Sequence, residues 1–147
     1  MATERSDTQK GYVGETYVMA KLMRDFNIAS VKVPQQFFSF DLITSNNKRL
    51  EVKTAIARDF ERKHPKKTYY SKAWQFKRSK KQQLEDSSDY MVCIGFQSQD
   101  MSGEPECFII PLEQLRGRKV VKITINPKRG LKKLWAYKDR WDLIVNG

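Results

Sequence analysis

The sequence predicts an α/β fold with a central mixed sheet flanked by helices, and three stretches carry that expectation. Residues 11 to 26 place Val18, Leu22 and Phe26 on one helical face together with Glu15, with Met19 beside them. Residues 38 to 53, FSFDLITSNNKRLEVK, alternate apolar and polar side chains as two strands joined by a turn. Residues 91 to 96, MVCIGF, form a continuous apolar run suited to a strand covered on both faces. At 147 residues the chain has the size of one domain, and residues 1 to 10 are expected to be flexible.

The elements follow in order. Gly11 and Gly14 are poor helix formers, and they imply close backbone approach in the first turn of the opening helix. Residues 28 to 33 read as an edge strand ended by Pro34. After the two central strands, 38 to 44 and 48 to 56, residues 57 to 71 read as a basic loop, and Trp74 and Phe76 as a short strand. Ser79 and Gln82 have the spacing of a capping box opening a helix to about residue 87. Strands at 89 to 97 and 106 to 110 flank a turn at Ser102-Gly103, and Pro111 leads into a short helix at 112 to 115. Residues 120 to 125 alternate as a strand, and residues 131 to 144 read as a terminal helix with Leu134, Tyr137, Trp141 and Ile144 on one side.

The central pair fixes its own register. Uniting the apolar side chains requires Phe40 opposite Val52 and Leu42 opposite Leu50, which sets Asp41 against Glu51. A two-residue turn at Asn46-Asn47 would break that pairing, so an odd-numbered loop or a β-bulge is expected. Facing carboxylates repel unless a cation joins them. Lys53, two residues on, is one candidate, and a divalent ion such as Mg2+ is the other. The plainer alternative is a solvated polar face in which Lys53 neutralises Glu51. Glu15 presents a parallel choice between a charge favoured near a helix N-terminus and a carboxylate facing a cation-holding cleft.

Charge points to the partner. Residues 58 to 82 hold ten Lys and Arg against two acids, and residues 116 to 140 hold ten against one, whereas residues 83 to 115 hold seven acids and no Lys or Arg. Such segregation within a net charge of +11 favours a polyanion, and nucleic acid ahead of an anionic membrane. No run approaches the roughly 20 apolar residues that span a bilayer, and the polar start lacks the apolar core of a signal peptide, so a cytoplasmic protein is expected. Cys93 and Cys107 sit in apolar runs without ligand spacing, and His64 stands alone in a basic stretch.

A glutamate on a first helix (Gly14-Glu15), an aspartate near the end of a strand (Phe40-Asp41) and Glu51-Val52-Lys53 on the next resemble the PD-(D/E)XK nuclease superfamily. Phe40 stands where the family name has Pro, which supplies no chemistry. The resemblance covers residues 11 to 53 and, more loosely, 89 to 112, and it implies a restriction-endonuclease-like core. It further implies that Asp41, Glu51 and the Val52 carbonyl hold Mg2+, with Mn2+ as a substitute, and that Glu15 contacts the metal site directly or through water. Lys53 would orient or deprotonate the attacking water and stabilise developing phosphate charge. The run from Asn126 to Asp142 is similar to small stand-alone members associated with mobile introns.

The expected function is therefore a Mg2+-dependent DNA endonuclease, first a small homing endonuclease, then a Holliday-junction resolvase or a restriction-type enzyme. Each makes two cuts, so a homo-oligomer, dimer or higher, is expected. Lys63, Lys66, Lys67, Lys72, Lys77, Arg78, Lys80 and Lys81 are expected to contact DNA, with Tyr69, Tyr70 and Trp74 packing or stacking nearby. The reading from another class is a nucleic-acid-binding module that keeps the fold and does no chemistry.

Overall fold

The computed structural model describes residues 6–34, 38–85, 87–126 and 133–147. Helix α1 (Asp7–Phe26) opens on a capping box in which the Gln9 backbone donates to the Ser6 hydroxyl and the Ser6 backbone donates to the Gln9 side chain. It closes at Asn27, which adopts the left-handed conformation (φ 54°). The helix thus begins four residues before the position expected. Residues 7 to 10 belong to it rather than to a flexible tail, and residues 1 to 5 lie outside the described residues.

A five-stranded mixed sheet runs in the order β1 (Ser30–Lys32), β2 (Leu42–Thr44), β3 (Arg49–Ile56), β6 (Tyr90–Phe96) and β7 (Glu106–Pro111). Strands β3 and β6 are parallel and every other neighbouring pair is antiparallel. A second, antiparallel sheet joins β4 (Arg58–Lys63), β5 (Thr68–Lys77) and β8 (Val120–Thr124) in the order β4-β5-β8. Helix α2 (Lys80–Glu85) follows β5, and its capping box is as expected, with Ser79 and Gln82 exchanging side-chain and backbone hydrogen bonds.

The apolar pattern sorts these elements into layers. Val18 and Leu22 of α1 pack with Leu50, Val52, Ile56, Val92 and Ile94 on one face of the large sheet. On the other face Trp74, Phe76, Val121 and Ile123 of the small sheet pack against Met91, Cys93, Phe108 and Ile110. Trp74 lies over Gly95, where an added Cβ would sit 2.5 Å from the indole, and its Nε1 donates to the Phe96 carbonyl at 3.0 Å. Strand β3 is therefore sandwiched, with even-numbered side chains toward α1 and odd-numbered ones toward β5.

Two segments differ from expectation. Residues 58 to 71 form a β-hairpin instead of a basic loop. Strand β4, R-D-F-E-R-K, has one apolar residue in six and is largely exposed, so no alternation marks it. Backbone pairing with β5 and the turn at Pro65-Lys66 hold it, with His64 and Lys67 exchanging backbone hydrogen bonds. The expected terminal helix over 131 to 144 is replaced by a 3-10 helix (Lys133–Tyr137) and helix α3 (Asp142–Asn146). Leu134, Trp135 and Tyr137 pack in one core cluster, Trp141 and Ile144 in the other, and one continuous helix cannot serve both sides of a sheet. The chain crosses between them at Lys138-Asp139, where Lys138 bridges to Phe108 and Asp139 takes a positive φ of 53°. No helix among the described residues is long and apolar enough to cross a membrane.

Gly14 meets β3 as expected, since a Cβ there would overlap the Thr54 hydroxyl, whereas Gly11 has open space around its missing side chain. The two glycines should respond oppositely to the same change. Gly14→Ala is expected to destabilise by about 1–3 kcal/mol through overpacking, and Gly11→Ala to stabilise by roughly 0.5–1 kcal/mol through helix propensity. Urea denaturation midpoints check both; equal effects would contradict this packing of α1 on β3.

Candidate functional site

The hairpin between β2 and β3 has the predicted register and the predicted odd loop. Leu42 stands opposite Leu50, and Ser45-Asn46-Asn47 connects the strands with Asn47 at φ 65°. At Asp41 the ladder slips, because its N–H donates to the carbonyl of Leu50 at 2.8 Å. Asp41 therefore does not stand face to face with Glu51. Its Oδ2 accepts from the Val52 N–H at 2.8 Å, so the carboxylate lies along the edge of β3. In a strand the N–H and C=O of one residue share an edge, so the Val52 carbonyl points the same way.

Strand β2 ends before it can cover the second half of β3, and the uncovered edge from Val52 to Ile56 forms part of the wall of a cleft of roughly 820 Å3. Helix α1 forms one wall with Gly11 and Glu15, and β5 forms the other with Gln75 and Lys77. Six cations line the cleft, Lys10, Lys32, Lys53, Arg58, Lys77 and Lys81, against the carboxylates of Asp7, Glu15 and Asp41. Such a surplus attracts a polyanion.

Burial raises the Asp41 carboxyl to about 6, and the charges of Glu15 and Glu51 push the same way, while the Val52 N–H and Lys53 partly offset them. The site thus holds a carboxylate at an electrostatic cost. Glu15, half-buried, pairs with Lys32 at 3.2 Å, and Lys32 also lies 4.5 Å from the Tyr12 ring centroid.

Glu51 departs most from expectation. Its side chain is fully buried on the β5 side of β3, and both oxygens accept from Arg78, Nε at 2.9 Å and Nη2 at 3.1 Å. Arg78 Nη2 also donates to the Gln82 carbonyl at 3.1 Å. Hence Arg78, expected at the DNA backbone, is instead a buried partner of Glu51, and the cation on Glu51 is Arg78 rather than Lys53. Trp74, expected near DNA, is likewise buried. The period of two could have found both, since Trp74, Phe76 and Arg78 fall on one face of β5 and its continuation.

The remaining expected contacts divide by position. Lys77 and Lys81 line the cleft, Lys80 is exposed beside them, and Lys63, Lys66, Lys67 and Lys72 are exposed on the hairpin away from it. Arg58, Gln75 and Lys32 join the cleft without having been singled out, because each owes its place to long-range strand pairing or packing. Among the described residues, no three Asp, Glu, His or Cys side chains converge as a metal site. Compared with protein-family models, with curated proteins and with solved structures, the chain matches none.

Proposed function

We propose that the chain is a metal-dependent DNA endonuclease with a restriction-endonuclease-like core, hydrolysing phosphodiesters in the cleft beside β3. One observation carries the reading. Asp41 is a buried carboxylate raised by its acidic neighbours, set against an open strand edge in a cleft otherwise lined by cations. A fold tolerates such a cost where the group has a task. The oxygens of Asp41, Glu15 and Val52 are hard donors of the kind Mg2+ or Mn2+ takes, and Glu51 would join them on release from Arg78. A bound divalent ion would supply Lewis-acid stabilisation of phosphate charge. Lys53 orients the attacking water and meets the developing charge, Asp41 and Glu15 fix the cation-binding edge, and Lys77 and Lys81 hold the flanking phosphates.

A small homing endonuclease is the first specific assignment, with junction resolution or restriction as alternatives, and two cuts in a duplex call for a homo-oligomer. A second reading is a binding module without chemistry, which the Arg78–Glu51 pair favours because it already neutralises one of the carboxylates. The discriminating experiment incubates supercoiled plasmid and a synthetic four-way junction with the wild type and with Glu51→Ala, in Mg2+ and in EDTA. Cutting of plasmid in Mg2+ only, lost in Glu51→Ala, is expected. Cutting of the junction alone would replace homing by resolution, and binding without any cutting would leave the second reading.

A further inference from the structure

The small sheet has two very different faces. Directly opposed residues of antiparallel strands share a face, so Arg58, Phe60 and Arg62 of β4 lie with Ala73, Ser71 and Tyr69 of β5, and Gln75 and Lys77 lie with Lys122 and Val120 of β8. Lys122 placed 4.1 Å from the Phe60 ring centroid agrees with that sorting. This outer face carries four cations, Arg58, Arg62, Lys77 and Lys122, and no carboxylate. The opposite face buries Trp74, Phe76, Val121 and Ile123 and, farther out, sets Asp59 opposite Lys72 and Glu61 3.8 Å from Lys63. Two acids there balance two bases. All the net charge of the three strands is on one side.

That side is continuous with the cleft, which Arg58, Gln75 and Lys77 line. From Phe60 and Ser71 outward β8 no longer pairs among the described residues, and β4 and β5 continue as a two-stranded ribbon of about 13 Å. The major groove of B-form DNA, about 12 Å wide, admits such a ribbon, whereas the deep, narrow groove of A-form RNA does not. Gln75 and Arg62 have the hydrogen-bonding forks that read base edges, and Lys77 and Lys122 are point charges for phosphates.

We propose that the outer face of β4, β5 and β8 is the docking surface for duplex DNA, with the hairpin in the major groove and Lys63 and Lys72 turned away from it. The proposal rests on the nuclease reading for the orientation of the duplex toward the cleft. The test is fluorescence anisotropy with a labelled duplex in EDTA over a salt series. Arg62→Gln with Lys122→Gln is compared with Lys63→Gln with Lys72→Gln, which removes the same charge from the other face. The outer pair is expected to weaken binding about 10–100-fold and to flatten the salt slope by about 2, while the other pair changes affinity by less than about 3-fold. Arg62→Gln alone should give about half the change in slope, which separates lost contacts from any disturbance at Phe60. Equal losses in the two pairs, or binding of duplex RNA or anionic vesicles as tight as that of DNA, would overturn the proposal. Equal losses with plasmid still cut in Mg2+ would remove this surface and leave the nuclease. An outer-face effect with no cutting would support the surface and remove the nuclease.

Discussion

Asp41→Asn is expected to unfold at higher temperature than the wild type in the absence of metal, and the gain should depend on pH. A carboxyl whose pKa is raised from 3.8 to about 6 binds its proton more tightly when folded, so its stabilising neutral form is lost as pH rises through that window. Above pH 6 the wild type carries the whole cost, about 2–3 kcal/mol, and below about pH 4 it carries none. Asparagine keeps the shape and can still accept from the Val52 N–H, so the variant should be about 2–3 kcal/mol more stable at pH 7.5 and nearly equal at pH 3.5. Mg2+ should then raise the melting temperature of the wild type and leave that of the variant unchanged, by mass action on a site only one of them has. Thermal melts at the two pH values, with and without Mg2+, check this. A variant less stable than the wild type at pH 7.5 would mean that Asp41 is an ordinary polar contact.

The largest loss of stability is expected from Arg78→Met. The Arg78–Glu51 pair is buried, and removing the guanidinium leaves Glu51 charged in a site closed to water. Breaking such a pair from one side costs about 3–5 kcal/mol, which lowers the melting temperature of a domain of this size by about 10 °C or more. Arg78→Lys should recover only part, because one ammonium cannot reproduce the two parallel bonds. Glu51→Gln combined with Arg78→Met should be more stable than Arg78→Met alone, since no buried charge is then stranded. If Glu51 also serves a divalent ion, Mg2+ should raise the melting temperature of Arg78→Met more than that of the wild type, because no guanidinium competes for it. Additive single and double variants in denaturant would show that the pair is not coupled.

Where local pattern decided structure, the sequence was readable. The alternation of Leu42, Leu50 and Val52 led to the observed register and to the three-residue loop, and Ser79 and Gln82 led to the observed cap. Strand β4 was hidden because its polar residues pair through backbone alone, and the terminal segment because helical spacing of Leu134, Tyr137, Trp141 and Ile144 does not say that they belong to two different cores. Within the site, Asp41 and Lys53 could be placed at the cleft from their strands. The partner of Glu51 could not, since reading Arg78 as surface charge stopped one residue short of the inward face that Trp74 and Phe76 define. The slip at Asp41, which turns a facing pair of carboxylates into an edge and an interior, is a backbone event that alternation does not encode.

Hydrolysis of supercoiled plasmid with protein in excess, in Mg2+, by wild type, Asp41→Asn and Lys53→Met tests the cleft most directly, with duplex binding in EDTA measured beside it. The wild type should convert plasmid to nicked and linear forms, and both variants should cut slower by orders of magnitude while binding duplex within a few-fold of wild type. A wild type that binds DNA and leaves the plasmid intact, or variants that cut as fast as it does, would contradict the assignment of Asp41 and Lys53 to phosphodiester hydrolysis.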